Sequence, residues 1–522
     1  MNNIALQKAG TATERGREFW RGEHEARIPD ELASALRRVA QELELSLSSV
    51  LLTAHAKVLD VLSGEHEMTS GSWREVLLET ARGKARPLSH KVRVEFLEHD
   101  NLVLRLRYRT DLLDADGAAR IAGYHLAALA LIAADPAAEH ERQNLLSADE
   151  LRFQLDGLAG PRRELPNRRV HELFEERVRA HPDAVAAVHR DRQWTYRQLN
   201  GRANQLARAL LARGLRREDV VAVVTERNLD WMAAVLAIFK AGGAYLPIEP
   251  HFPADRIART LARAGCRLVL SEGGSTAMLD QALDSLSGIQ RLFIDAAYEE
   301  DFADGDLGID VAPDQLAYIY FTSGSTGEPK GAMCEHAGML NHLFAKIDDL
   351  GIAENDVVAQ TAPQCFDISL WQLLSALLAG GRTLIIEQEA ILDVKRFVGK
   401  MADARVAVVQ VVPSYLEVVL SYLAQEPREL PDLRCVSVTG EALKKELAQR
   451  WFAAQPGIKL MNAYGLTETS DDTNHEVMDR APDRERVPLG RPINNVHVYV
   501  VDEHLSLVPL GAPGEIDRKS VV

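Results

Sequence analysis

From Arg202 onward the chain alternates amphipathic helical runs with short apolar strands, and no other feature restricts its fold as strongly. RANQLARALLARGL precedes VVAVVTE, WMAAVLAIFKAGG precedes AYLPIEP, and RIARTLARAGC precedes RLVLS. Strands separated by helices need crossover connections, which set them parallel in a sheet with helices packed on its faces. Each of these helices reaches a glycine where it must stop. Further strands are predicted at LAYIYF, VAVVQVV, LRCVSV and HVYVVDE. The expected architecture of residues 168–516 is therefore α/β with largely parallel sheet.

The first 150 residues have a different texture. Residues 31–63 read as helical, in two runs with apolar residues at helical spacing, ELASALRRVAQEL and SSVLLTAHAKVLDVL. Val92–Phe96 and Leu102–Tyr108 alternate apolar and polar residues and read as a hairpin turning at His99, Asp100 and Asn101. A helix is expected through Ile121–Ile132. This is an α+β pattern. The stretch GLAGPRRELPN lacks periodicity and marks a linker within residues 151–167.

Charge and cysteine content narrow the functional class. The 60 basic and 76 acidic residues leave a net charge of −16, which argues against a surface built for nucleic acid. No secretory signal opens the sequence, and no apolar run of membrane-spanning length is read from it, so neither nucleic acid nor membrane is an expected partner. Cys266, Cys334, Cys365 and Cys435 form no CxxC pair and suit reduced thiols in a cytoplasmic protein.

The sharpest local signal is YIYFTSGSTGEPKGAM. A β-prone run breaks into Thr322, Ser323, Gly324, Ser325, Thr326 and Gly327, followed by Pro329, Lys330 and Gly331. Small residues let backbone N–H groups approach an anion, hydroxyls add donors, and a lysine adds mobile positive charge. The composition is that of a polyphosphate cradle, although Pro329 and Gly331 around the lysine separate it from the Walker-type loop. The competing reading is a plain Gly/Ser turn after a buried strand.

The order of residues in this loop resembles the phosphate-binding loop of the adenylate-forming superfamily. WTYRQLN, FKAGGAYLPIEP, NAYGLTET and GAPGEI follow in that family's order, and together they resemble the adenylation domain of nonribosomal peptide synthetases. Glu249 and Leu466 depart from the usual aspartate and proline. The resemblance implies the large N-terminal subdomain of such an enzyme, built of mixed, largely parallel sheets with helices. It also implies that ATP, Mg²⁺ and an amino acid are bound, with aminoacyl-AMP formed and pyrophosphate released.

Carried over residue by residue, it assigns catalysis to Lys330, Thr467 and Glu468, with Glu468 on the metal. It assigns the nucleotide to Thr322–Gly327, Lys330, Gly440, Glu441, Asn462, Tyr464, Gly465 and Thr467, Tyr464 stacking on adenine. Taken singly, Tyr464 is also consistent with a core position and Glu468 with a carboxylate at a helix start.

Asp367 lies in the apolar stretch QCFDISLWQLL and resembles the aspartate that pairs with a substrate α-ammonium. An unpaired buried carboxylate is costly, so a cationic partner is chemically expected. An N-cap for the following helix is the alternative. The other pocket positions implied are Ile368, Trp371, Gln410, Ser437, Thr439, Ala463, Asp471 and Asp472. Two carboxylates beside a side-chain pocket suggest a polar substrate with N–H donors, glutamine-like or basic such as arginine or lysine. The other reading has Asp471 or Asp472 facing solvent.

REFWRGE, SSVLLTAHAKVLDVLSGE and RYRTDLLDADGAARIAGYHL make residues 1–150 similar to part of a condensation domain. The HHxxxDG catalytic pattern is absent, which implies a non-catalytic remnant. The mobile C-terminal subdomain of the family, with its lysine, is not in the sequence, and residues 517–522 (DRKSVV) read as a non-native tail. A chain without that lysine is expected to bind ligands better than it turns them over. A phosphopantetheine carrier domain is the expected partner, in trans or in a further C-terminal part. Two alternatives remain: an acyl- or aryl-acid ligase of the same superfamily, and a catalytically silent scaffold.

Overall fold

The computed structural model describes residues 3–5, 21–64, 68, 71–81, 92–98, 100–274, 276–322 and 329–520. It divides into two compact units, residues 1–159 with 498–518, and residues 160–497 with 519–522. Residues 498–516, expected inside the 168–516 domain, thus cluster with the first unit.

The first unit is α+β. Its sheet runs Asn3–Ala5, Val92–Glu98, Leu102–Tyr108, Gly22–Arg27, all neighbours antiparallel. The expected hairpin forms with Val92 opposite Tyr108 and Glu98 opposite Leu102; His99 at its turn is outside the described residues. The helical stretch 31–63 is two helices, Asp30–Glu42 and Leu47–Ser63. Glu44 takes φ 55° between them, and Ser46 restarts the second by accepting the Ser49 N–H at 3.1 Å.

Helix Ala115–Ala134 corrects the sequence reading on apolar runs. It has 20 residues, a mean hydropathy of 1.4 and enough length to cross a membrane. Its Ala122, Tyr124, Ala128, Leu129 and Ile132 are instead packed in the core of this unit with Leu36, Val50, Leu51 and Phe96.

The second unit holds two mixed, mostly parallel sheets, as the family resemblance implied. The six-stranded sheet runs Gln290–Phe293, Leu268–Ser271, Val220–Val224, Ala244–Ile248, Leu316–Thr322, Lys330–Glu335. Only its last pair is antiparallel. The nine-stranded sheet has a parallel centre, Lys459–Leu466, Cys435–Val438, Val408–Val411, Val357–Gln360, Arg382–Ile385 and Val185–His189. Antiparallel strands close both edges.

Helix Leu229–Lys240 is buried along its whole length, and helix Ile368–Ala379 is buried from Ser369 to Leu378. That explains their near-continuous apolar sequence. Each has a sequence-legible end: Asn228 accepts the Trp231 N–H at 2.9 Å, and Gly380 stops the second helix at φ 87°.

Candidate active site

A cleft of about 1010 Å³ opens in the second unit where strands of both sheets reach their carboxyl ends, the usual ligand position in open α/β sheets. Thr322 ends strand Leu316–Thr322. Thr439, Gly440 and Glu441 follow strand Cys435–Val438, and Asn462–Gly465 belong to strand Lys459–Leu466.

The cleft gathers most of the residues singled out in the sequence. Thr322, Asp367, Ile368, Thr439, Gly440, Glu441, Asn462, Ala463, Tyr464, Gly465, Thr467, Glu468, Asp471 and Asp472 all line it. Tyr464 is half-buried and on the wall. Phe366, Lys445 and Arg486 also line it, and sequence reasoning missed them. A cationic residue at the rim carries no periodicity or motif to find it by.

Ser323, Gly324, Ser325, Thr326 and Gly327 are outside the described residues. The ends of their loop are fixed, because Thr322 and Lys330 face each other across the antiparallel pair. Lys330 is exposed. Glu468 is exposed as well, and the Thr322 hydroxyl lies 3.5 Å from its Oε1. Glu441 has a structural task too: its carboxylate accepts the Ser414 N–H (3.0 Å) and hydroxyl (2.9 Å), capping helix Pro413–Gln425.

Asp367 opens helix Ile368–Ala379, yet it is not an ordinary cap. Its backbone is itself helical (φ −57°, ψ −36°), and its Oδ1 accepts the adjacent Ile368 N–H at 2.9 Å, where a cap reaches the second or third amide. Burial raises its pKa above the ordinary value of 3.8. The Thr467 hydroxyl and the Ile368 amide oppose that rise, and Asp472 adds to it. Among the described residues no lysine or arginine pairs with it.

The two adjacent aspartates do not face solvent: Asp471 is 5% and Asp472 1% exposed. Nor are they equivalent, which corrects the expectation of two free carboxylates. Asp472 is ion-paired with buried Lys346 and flanked by His475 Nε2 at 3.2 Å and His342 Nε2 at 3.4 Å. These partners hold it well below the carboxylate range against the cost of burial. Among the described residues Asp471 Oδ2 accepts no hydrogen bond, and burial beside Asp367 and Asp472 pushes its pKa well up.

Trp371, Gln410 and Ser437 are not on the wall but immediately behind it. The Trp371 indole and the Gln372 amide both donate to Gln410 Oε1 (2.8 and 3.0 Å), leaving Gln410 Nε2 and Ser437 Oγ unpartnered.

A family model described as AMP-binding enzyme matches residues 174–519, which is most of the second unit and both walls of the cleft. This chain belongs to the AMP-binding enzyme family. Tyrocidine synthase 1 from Brevibacillus parabrevis is 34% identical over 348 residues, 66% of this chain and 31% of that protein. Bacitracin synthase 3 from Bacillus licheniformis is 32% identical over 382 residues, 73% of this chain and 6% of that protein. The chain thus spans under a third of these relatives. Among solved structures, the nonribosomal peptide synthetase FmoA3 in its AMPPNP-bound form superposes with a TM-score of 0.81 at 23% identity, covering 96% of this chain and 63% of that one. The N-terminal subdomain of NpsA from Klebsiella oxytoca gives 0.60 at 26% identity, over 69% of this chain and 88% of that one.

For a cleft of this family, the raised pKa of Asp367 has a signed consequence. A carboxyl with a folded pKa above 3.8 binds protons more readily folded than unfolded. Its contribution to stability is therefore lost as pH rises through that window. An ammonium ligand reverses the preference, since it favours the carboxylate. Calorimetric affinity for an ammonium-bearing ligand should fall by about tenfold per pH unit below the raised value. In Asp367→Asn most of that slope should disappear, leaving the share due to Asp471.

Proposed function

We propose that this chain activates an amino acid as its AMP anhydride for nonribosomal peptide synthesis, and that the amino acid has a polar or basic side chain. In the reaction a substrate carboxylate oxygen bonds to the α-phosphorus of ATP while the bond from that phosphorus to the β-bridging oxygen breaks. Pyrophosphate leaves with that electron pair. Two anions must approach, so the protein's task is positioning and charge neutralisation.

Asp367 would hold the α-ammonium and aim the carboxylate at the nucleotide. Thr322, Thr467 and Lys330 would contact the phosphates, together with the loop through Gly327. Gly440, Glu441, Asn462 and Tyr464 would line the adenine site. Glu468 suits Mg²⁺, because an exposed carboxylate beside a threonine hydroxyl offers the hard oxygen donors that ion takes alongside phosphates. When bound, the ion would neutralise phosphate charge.

The carrying observation is Asp367: a carboxylate in the cleft without a cationic partner among the described residues, hydrogen-bonded by Thr467 of the NAYGLTET segment. Asp471 Oδ2, buried and unpartnered, supports a side chain with an N–H donor. A carrier domain bearing phosphopantetheine is the proposed acceptor of the product, residues 1–150 are proposed as a condensation-like remnant, and the setting is proposed as cytoplasmic.

Thermal denaturation with non-hydrolysable sulfamoyl-adenosine mimics tests this. At 100 times its dissociation constant the correct mimic should add about 2.7 kcal/mol. The greatest shift is expected from glutamine, ornithine, lysine or arginine mimics. A greatest shift from leucine or phenylalanine would overturn the substrate class, and from an acyl mimic without an ammonium, the amino-acid reading itself. Silence from every mimic would favour a scaffold.

A further inference from the structure

We propose that Lys346, outside the cleft wall, is a specificity-determining residue: by neutralising Asp472 it leaves Asp471 as the one carboxylate available to the substrate's side chain. The inference rests on the amino-acid reading of this cleft. It concerns charge at a depth where water cannot screen it.

Lys346 and His342 stand four residues apart on helix His336–Leu350 and therefore share a face. Both point at Asp472 on the antiparallel strand Asp471–Met478. Lys346 is 0% and Asp472 1% exposed. The ammonium also lies 4.8 Å from the centroid of the Trp371 ring, a cation–π contact that fixes its direction. Behind Asp472, His475 reaches back from Nδ1 to Asp349 Oδ2 at 2.7 Å.

His342, Asp472 and His475 bring potential metal-ligand atoms within 4.8 Å of one another. The Lys346 ammonium, however, already occupies the carboxylate that a metal would need. The cluster is therefore an internal ion pair with two imidazoles, and burial holds His342 down to about 4, hence neutral.

Of the charged residues lining the cleft, the three aspartates differ in what matches them. Asp367 matches a substrate ammonium, and Asp472 matches Lys346. Asp471 has no match: its nearest polar neighbour among the ion pairs is neutral His342, at 3.6 Å from Nδ1 to Oδ2. A side chain bearing one cation or N–H donor completes the set. Removing the Lys346 charge would present two carboxylates instead of one.

The test uses sulfamoyl-adenosine analogues of ornithine and leucine, with dissociation constants from calorimetry on the full chain. The readout is the ratio of leucine to ornithine dissociation constants. Lys346→Met should raise this ratio at least about tenfold. Asp472→Asn, which leaves the ammonium unmatched, should lower it by a similar factor. The double variant should return to within about threefold of the parent, because the pair is removed together. A packing role would weaken both analogues alike, so unchanged ratios in the folded single variants would overturn the proposal. If Lys346→Met does not fold, Asp472→Asn against the double variant decides it in the same way. A parent that prefers leucine would overturn the substrate class of the preceding section while leaving these opposite shifts measurable. A parent binding neither analogue would overturn both.

Discussion

Asp367→Ala is expected to lower affinity for the preferred aminoacyl-AMP mimic by about two orders of magnitude while leaving ATP binding nearly unchanged. An ammonium bound to a buried carboxylate combines charge with hydrogen bonding, and breaking such a pair costs about 3 kcal/mol or more. That corresponds to about a hundredfold or more in affinity. The same substitution acts oppositely on the free protein. Asp367 is desolvated with no cationic partner among the described residues and its pKa is raised, so above 3.8 it opposes folding. Asp367→Asn, which keeps an acceptor for the Ile368 N–H, should therefore be at least as stable as the parent near neutral pH. Calorimetry on ligand binding and urea denaturation on the free chain check the two halves separately. A simultaneous loss of stability and of ATP binding would make Asp367 a structural residue only.

Gly465→Ala is expected to cost about 3 kcal/mol or more in urea denaturation and to abolish ligand binding. A Cβ at this position would meet Asp471 O at 2.1 Å and Asp472 Cα at 2.4 Å, both backbone atoms that cannot rotate away. The register of the two strands shifts between Tyr464 and Gly465, and Ser470 and Asp471 take φ 60° and 80° in the turn. This irregular hairpin carries Tyr464, Thr467, Glu468, Asp471 and Asp472 into one cleft. Gly440→Ala is a useful contrast: φ 81° strains it, but only a Val412 methyl at 3.8 Å stands nearby. Its cost should stay near about 1 kcal/mol. Equal stability of Gly465→Ala and parent would mean the hairpin can open without penalty.

Much of this was written in the sequence. Helix–strand alternation determined parallel strands, because crossovers of that length permit little else. The break from LAYIYF into glycines and hydroxyls marked the strand end where Thr322 meets the cleft. The resemblance to a family singled out Asp367, Tyr464, Thr467 and Glu468, and all four line the cleft. Which strand belongs to which of the two sheets was not legible, because a buried parallel strand reads the same in either sheet. Helix Ala115–Ala134 was misjudged for a related reason: an apolar helix packed in a protein core has the composition of a spanning one.

The tertiary structure alone decided what Asp471 and Asp472 do. In sequence they are adjacent carboxylates of equal promise. Lys346 approaches one of them from more than a hundred residues away, and no local pattern records that meeting. Charge matching inside a protein depends on which groups share a dry volume, and only the packing of helix His336–Leu350 against strand Asp471–Met478 creates that volume.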